Sequence, residues 1–378
     1  MLKIESPQKV GLHPDRWKTC LKLLVDFCKS DQTPAAGLLV SREGKTTGTH
    51  LFGRQQLSGV NGSIQDDAIF LIASITKPLV AMAILQLVER GHFSLADRVT
   101  EFIPDFGKEG KHGITVRHLL THTSGLPDML PANRELRIDH APLAEFVKQT
   151  AQIKPDFSAG RGVQYQSMGF AILGEIIQQV SGKTCAEYLQ SEFFTPLGMH
   201  DTTLGAPDDW FAGEEPTINR IAEIRTPEDM EGCDWNWNNR YWQQLGAPWG
   251  GLLTTPMDLA RFGQMMLNKG EVDGTRFLSP ATINAATRNQ LSCMRDVPEA
   301  DRRCRPWGFG WRLNWPAHSA NFGDFLGPNT FGHWGATGTA FWMDPDTNTQ
   351  AVIFTTQPQE PHGKLLAKIA NAVSAAVV

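Results

Sequence analysis

The apolar positions change period along the chain. Trp17, Cys20, Leu21, Leu24 and Phe27 recur at helical spacing between Pro14 and about Ser30, which predicts an amphipathic helix. Two β-like runs follow, AAGLLVS (35–41) and TTGTHLFG (46–53). The turn-rich Arg42-Glu43-Gly44-Lys45 joins them, which predicts a hairpin. In AIFLIASITKPLVAMAILQLVERG (68–91), Val80, Ala83, Ile84, Leu87 and Val88 share one helical face, and Gly91 is a good C′ residue. From about 92 to 250 the pattern is loops and short helices. The clearest helix is GFAILGEIIQQVSG (169–182), with Leu173, Ile176, Ile177 and Val180 inward and Gly182 as terminator. Thr255-Pro256-Met257-Asp258 combines an N-cap, an N1 proline and an acidic N3 residue, and Ser279-Pro280 opens a helix in the same way.

Near the C-terminus the period shortens to that of strands. GTAFWMD (338–344) and TQAVIFTTQ (349–357) flank Asp344-Pro345-Asp346-Thr347-Asn348 as a second hairpin, and KLLAKIANAVSAAVV (364–378) closes the chain as an apolar helix. Strands at both chain ends with helices between predict a sheet built from the two termini. The expected division is an α/β lobe from about 1–75 and 255–378, and a helical lobe from about 76–254.

Composition narrows the class. The chain has 378 residues, longer than the roughly 250–300 at which single cores stop growing. With 41% hydrophobic and 20% charged residues it is globular, and a net charge of −5 without basic runs argues against a nucleic-acid partner. No apolar run approaches the roughly 18 residues of a membrane span, and the N-terminus carries no signal-like apolar stretch. The expectation is a cytoplasmic protein, or a periplasmic one if a leader was removed. Six cysteines without a CxxC pair read as reduced thiols, with a Cys293–Cys304 bridge left open.

Three pieces carry chemistry. Ser74-Ile75-Thr76-Lys77 is an S-x-x-K tetrad at a helix start, and residues i and i+3 lie on one helical face about 5–6 Å apart. A serine hydroxyl needs a base within hydrogen-bond reach, and a lysine whose pKa is lowered by burial can serve. Pro78 is tolerated only in a first turn, which fixes the helix start near Ser74. The second piece is Tyr165-Gln166-Ser167, whose phenol can act as base or proton relay. The third is His333-Trp334-Gly335-Ala336, where glycine permits close backbone approach and an exposed N–H can hold an oxyanion.

Other motifs are weaker. Val180-Ser181-Gly182-Lys183-Thr184 mimics the end of a P-loop but has Ile177 where the earlier glycine belongs. His118 and His122 are spaced i, i+4 without a metalloprotease glutamate, and read as a structural pair. Ser124 lacks a G-x-S-x-G elbow. Trp235, Trp237, Trp242 and Trp249 read mainly as packing, with Trp334 the better pocket wall.

The order S-x-x-K, then Y-x-S about 90 residues on, then a basic residue-x-Gly near the C-terminus resembles the penicillin-recognising serine hydrolases, class C β-lactamase-like branch. LLTHTSGLPD (119–128), FFTPLGMHDTTL (193–204) and GGLLTTPMDLARF (250–262) extend the resemblance over about residues 10–375. It implies an α/β fold, with an antiparallel sheet flanked by helices plus a mostly helical lobe and the active site between them. It also implies an acyl-enzyme on Ser74, Lys77 and Tyr165 managing protons, an oxyanion hole from the Ser74 and Ala336 N–H groups, and substrate contacts from Ser167, His333, Trp334 and Gly335.

No cofactor or metal is implied; the partner is a small ester or amide, with neither nucleic acid nor membrane, and oligomeric state is left open. Ser167 stands where the family usually has asparagine, and His333 where true β-lactamases have lysine. Both departures favour a carboxylesterase on short acyl esters. A weak β-lactamase, a D-amino-acid peptidase or D,D-carboxypeptidase, and a non-turnover acylable sensor are the alternatives.

Overall fold

A computed structural model describes residues 2–59, 62–230, 233–314, 322–358 and 364–378. Among the described residues the main sheet has eight strands. Along one path these are Lys3–Ile4, Lys45–Thr46, Ala35–Arg42, Thr349–Thr355, Thr339–Asp344, Phe331–Gly335 and Arg312–Leu313. His50–Gly53 also pairs with Ala35–Arg42. The central pairs are antiparallel, with Leu38 opposite Ile353 and Trp342 opposite Ala351, and the sheet is drawn from both chain ends.

Pleating sends alternate residues to two cores. Leu38, Val40, Trp342 and Ile353 pack under the helices Pro14–Lys29 and Lys364–Ala376. Leu39, Phe341, Val352 and Phe354 join the larger core with Phe262 of the helix Pro256–Leu267. Both faces are covered, so these strands read as continuous apolar runs rather than alternating ones.

Local signals set most helix ends. Thr255 accepts the Asp258 N–H at 3.2 Å and Ser279 accepts that of Thr282 at 3.1 Å, each ahead of a first-turn proline. Gly91 and Gly182 adopt left-handed φ of +80° and +71° as helix stops. Lys183-Thr184, the P-loop mimic, is a capping box: Glu187 N–H donates to the Thr184 hydroxyl, and the Glu187 carboxylate accepts the Thr184 N–H.

Two expectations were too simple. The 46–53 run divides into Lys45–Thr46 and His50–Gly53, because Gly48 turns the chain with φ +74° and the Thr47 hydroxyl takes the Val40 N–H. The helix Thr76–Glu89 is buried on every side from Thr76 to Leu87, not on one face. It packs against Met168–Ser181 within the larger core, where an all-round apolar helix belongs.

A three-stranded sheet, Phe70–Leu71, Leu252–Thr254 and Thr203–Leu204, lies immediately before this helix. All six cysteines are free thiols. Among the described residues no helix is long and apolar enough to cross a membrane, and no group of His, Cys, Asp and Glu is arranged to hold a metal.

Candidate active site

Ser74 lies in a 3-10 turn, Ala73–Ile75, that runs into the helix Thr76–Glu89. Ala73 takes a left-handed φ of +45°, strained for a residue with a Cβ, so the chain turns sharply into the serine. The Thr76 hydroxyl donates to the Ala73 carbonyl at 2.7 Å and accepts the Leu252 N–H at 3.1 Å, and Ile72 N–H donates to the Leu252 carbonyl at 3.0 Å. The corner is therefore held by hydrogen bonds that do not involve Ser74.

One turn on, Lys77 Nζ donates to Ser74 Oγ at 3.0 Å and to the Trp249 carbonyl at 2.7 Å. Lys77 is fully buried (0% exposed), and Nζ lies 4.8 Å from the Tyr165 ring centroid. Burial pushes its pKa from 10.5 down to about 7, Asp128 opposing the shift and Arg312 adding to it. A hydroxyl bonded to an amine that is half neutral near pH 7 can form a nucleophile and base.

The Tyr165-Gln166-Ser167 loop is clamped onto LLTHTSG. Gln166 Nε2 donates to the Leu119 carbonyl at 3.0 Å, its Oε1 accepts the Ser124 hydroxyl, and its N–H donates to His122 Nδ1 at 3.0 Å. His122 Nδ1 accepts, so Nε2 carries the proton; burial first, then Lys77 and Arg312, hold its pKa well below 6.5. The neutral ring stacks on Tyr165 at 4.8 Å between centroids. His118 Nδ1 instead accepts the Thr115 N–H at 3.1 Å and caps its own helix. Ser167 Oγ donates to Asp128 Oδ1 at 2.6 Å.

The strand Phe331–Gly335 forms the far wall. Thr337 Oγ1 donates to the Leu71 carbonyl at 2.7 Å and Thr339 Oγ1 to the Ile72 carbonyl at 3.1 Å, stapling the 335–339 turn to the segment before Ser74. Gly335 is required by this approach: a Cβ there would meet the Ile72 carbonyl oxygen at 2.2 Å and Thr339 Oγ1 at 2.4 Å. Gly335→Ala should therefore destabilise the protein by about 1–3 kcal/mol and slow turnover by displacing Ala336. Urea unfolding and steady-state rates check both effects.

Ser74, Tyr165, Ser167, Trp334 and Ala336 line one cavity of about 540 Å³. His333 and Gly335, also expected to contact substrate, are not among its lining residues. Within the strand, Trp334 packs partly against the core under the two terminal helices, while the next turn residue, Ala336, reaches the cavity. His333 is buried with Nδ1 2.7 Å from the Trp334 carbonyl, which can only accept, so Nδ1 carries the proton. Burial, then Arg312 and Lys77, hold its pKa well below 6.5, so it offers no cation; its ring lies 6.0 Å from that of Tyr165.

Among the described residues the cavity's charged groups are Arg312, Arg137 and Asp128, and the three chemistry-bearing motifs single out none of them. Arg312 stacks on Trp334 at 3.7 Å and Tyr165 at 4.9 Å. Its one visible sequence signal is an arginine inside the apolar run WGFGWRL. The tryptophan cluster does more than pack. Trp235, Trp242 and Trp249 are buried, yet Trp242, Trp249 and the partly buried Trp237 also line the cavity.

The fold and the serine–lysine pair define an S-x-x-K serine hydrolase. The chain belongs to the Beta-lactamase family, whose model matches residues 21–375. It is 30% identical to Penicillin-binding protein 4 of Amycolatopsis lactamdurans over 75% of this chain and 70% of that one. It is 30% identical to Esterase EstB of Burkholderia gladioli over 66% and 67%. The solved penicillin-binding protein homologue from Caulobacter crescentus superposes with a TM-score of 0.78 at 22% identity, covering 97% of this chain and 99% of that one.

Proposed function

We propose that this serine hydrolase is a carboxylesterase acting on short acyl esters through an acyl-enzyme at Ser74. Neutral Lys77 takes the Ser74 proton as Oγ bonds to the ester carbonyl carbon, and the Ser74 and Ala336 N–H groups hold the oxyanion. Collapse breaks the bond to the alkoxy oxygen, which leaves as alcohol with a proton passed through Lys77 and Tyr165. Water, deprotonated by the same pair, then releases the acid and restores Ser74.

The observation that carries the ester reading is the cavity wall. It carries four tryptophans, Trp237, Trp242, Trp249 and Trp334, and the Ser167 hydroxyl is committed to Asp128 rather than held out for a substrate amide. A second reading, hydrolysis of a carboxylated amide or β-lactam, draws support from Arg312, a cation beside Tyr165, and from the likeness to a penicillin-binding protein. Parallel turnover of p-nitrophenyl butyrate, nitrocefin and a D-alanyl amide separates the two. The ester should show the highest kcat/KM; dominant nitrocefin or amide turnover would replace the ester reading with the second.

A further inference from the structure

Arg137, on the short helix Asn133–Ile138, has no part in the chemistry proposed for Ser74, yet it lines the same cavity. It is 4% exposed. Its guanidinium stacks on Trp242 at 4.4 Å and Trp235 at 5.3 Å. Among the described residues its one hydrogen bond runs from Nη2 to Met129 Sδ at 3.8 Å, Nε is buried without a partner, and it forms no ion pair. Burial lowers its pKa to about 10, Tyr241 and Asp128 opposing the shift, so the group remains a cation near neutral pH. A buried charge normally has a counter-charge or a full set of hydrogen bonds. Asp128 is engaged by Ser167, and among the described residues the wall holds two guanidiniums against that one carboxylate.

The two arginines sit in different surroundings. Arg312 stacks on Tyr165, the residue assigned to protonate the leaving group, whereas Arg137 lies among Trp235, Trp242 and Met129.

We propose that Arg137 closes the acyl pocket and selects acyl groups ending in a second carboxylate, so that the preferred substrates are half-esters of dicarboxylic acids. This rests on the esterase reading. The remote carboxylate pairs with the guanidinium, the fork geometry allowing two parallel hydrogen bonds. Ser74 acylation releases the alcohol, and water releases the dicarboxylate.

The test compares mono-p-nitrophenyl glutarate and adipate with p-nitrophenyl butyrate and hexanoate. The wild-type kcat/KM ratio of acidic to neutral ester should exceed about tenfold, as a charge-assisted pair allows. It should fall to near 1 in Arg137→Met and persist in Arg312→Met. A wild-type ratio near 1, or a preference lost in Arg312→Met but kept in Arg137→Met, would overturn the proposal while leaving the esterase reading intact.

A merely structural brace would lower the melting temperature of Arg137→Met without moving the ratio, and that result also overturns the proposal. Two readouts are independent of these outcomes. Free glutarate should inhibit butyrate-ester turnover by the wild type at least about tenfold more strongly than free butyrate, so the test survives if Arg137→Met fails to fold. If neither ester class is turned over, the esterase reading fails, and calorimetric binding to Ser74→Ala decides alone: monomethyl adipate should bind more tightly than its dimethyl ester, and equal affinities count against Arg137.

Discussion

Ser74→Ala is expected to lower kcat/KM toward p-nitrophenyl butyrate by on the order of 10⁴-fold or more, because no covalent intermediate can form without the hydroxyl. The fold should survive. The turn at Ala73–Ile75 is held by Thr76, Ile72 and Leu252, and Ser74 contributes only the hydrogen bond from Lys77. A lost hydrogen bond of this kind is worth about 1 kcal/mol, so the melting temperature should move by only a few degrees. Residual activity near the wild-type level would mean that the cavity works through another group.

Lys77→Met is expected to lower turnover by about 10²–10⁴-fold, the usual contribution of a positioned base, and to do so without loss of stability at mildly acidic pH. The sign follows from linkage. The folded pKa of Lys77 is about 7 against 10.5 for the free side chain, so the folded state sheds a proton that the unfolded state keeps. Between those values the native protein gains stability with rising pH; below about 7 both states are protonated and the full burden of a buried cation remains.

Methionine removes that burden below pH 7 but also strands the Trp249 carbonyl. The expected balance is a melting temperature for Lys77→Met equal to or above wild type at pH 6, with the difference shrinking as pH rises toward 10. Wild-type kcat/KM should rise with pH through a midpoint near 7 as Lys77 loses its proton. A flat profile from pH 5 to 9, or a Lys77→Met variant with near-normal rates, would remove lysine from the proton transfer.

What the sequence revealed follows from how local each feature is. Ser74 and Lys77 meet because three residues along a helix is one turn, a rule that needs no tertiary knowledge, and Pro78 located that helix start. Caps at Thr255 and Ser279 and glycine stops at Gly91 and Gly182 are equally local. Strand sidedness is not. His333 and Trp334 are neighbours, and which of them faces the cavity depends on a register set by Thr337 and Thr339 reaching across to residues 71–72.

No motif picks out Arg312 or Arg137 for the same reason: nothing in their own segments reports that the chain folds them into the cavity that Ser74 lines. The 70–71, 203–204 and 252–254 strands are two or three residues long, too short to show a period. LLTHTSG takes its role from a distant segment, through the bonds of Gln166 to Leu119, Ser124 and His122.

The most direct test is the site of acylation. Peptide mapping by mass spectrometry after reaction with a slowly released acyl ester should find one acyl group on Ser74 in the wild type and none in Ser74→Ala. An adduct on Ser124 or another residue, or turnover that continues with Ser74 unmodified and replaced, would contradict the account.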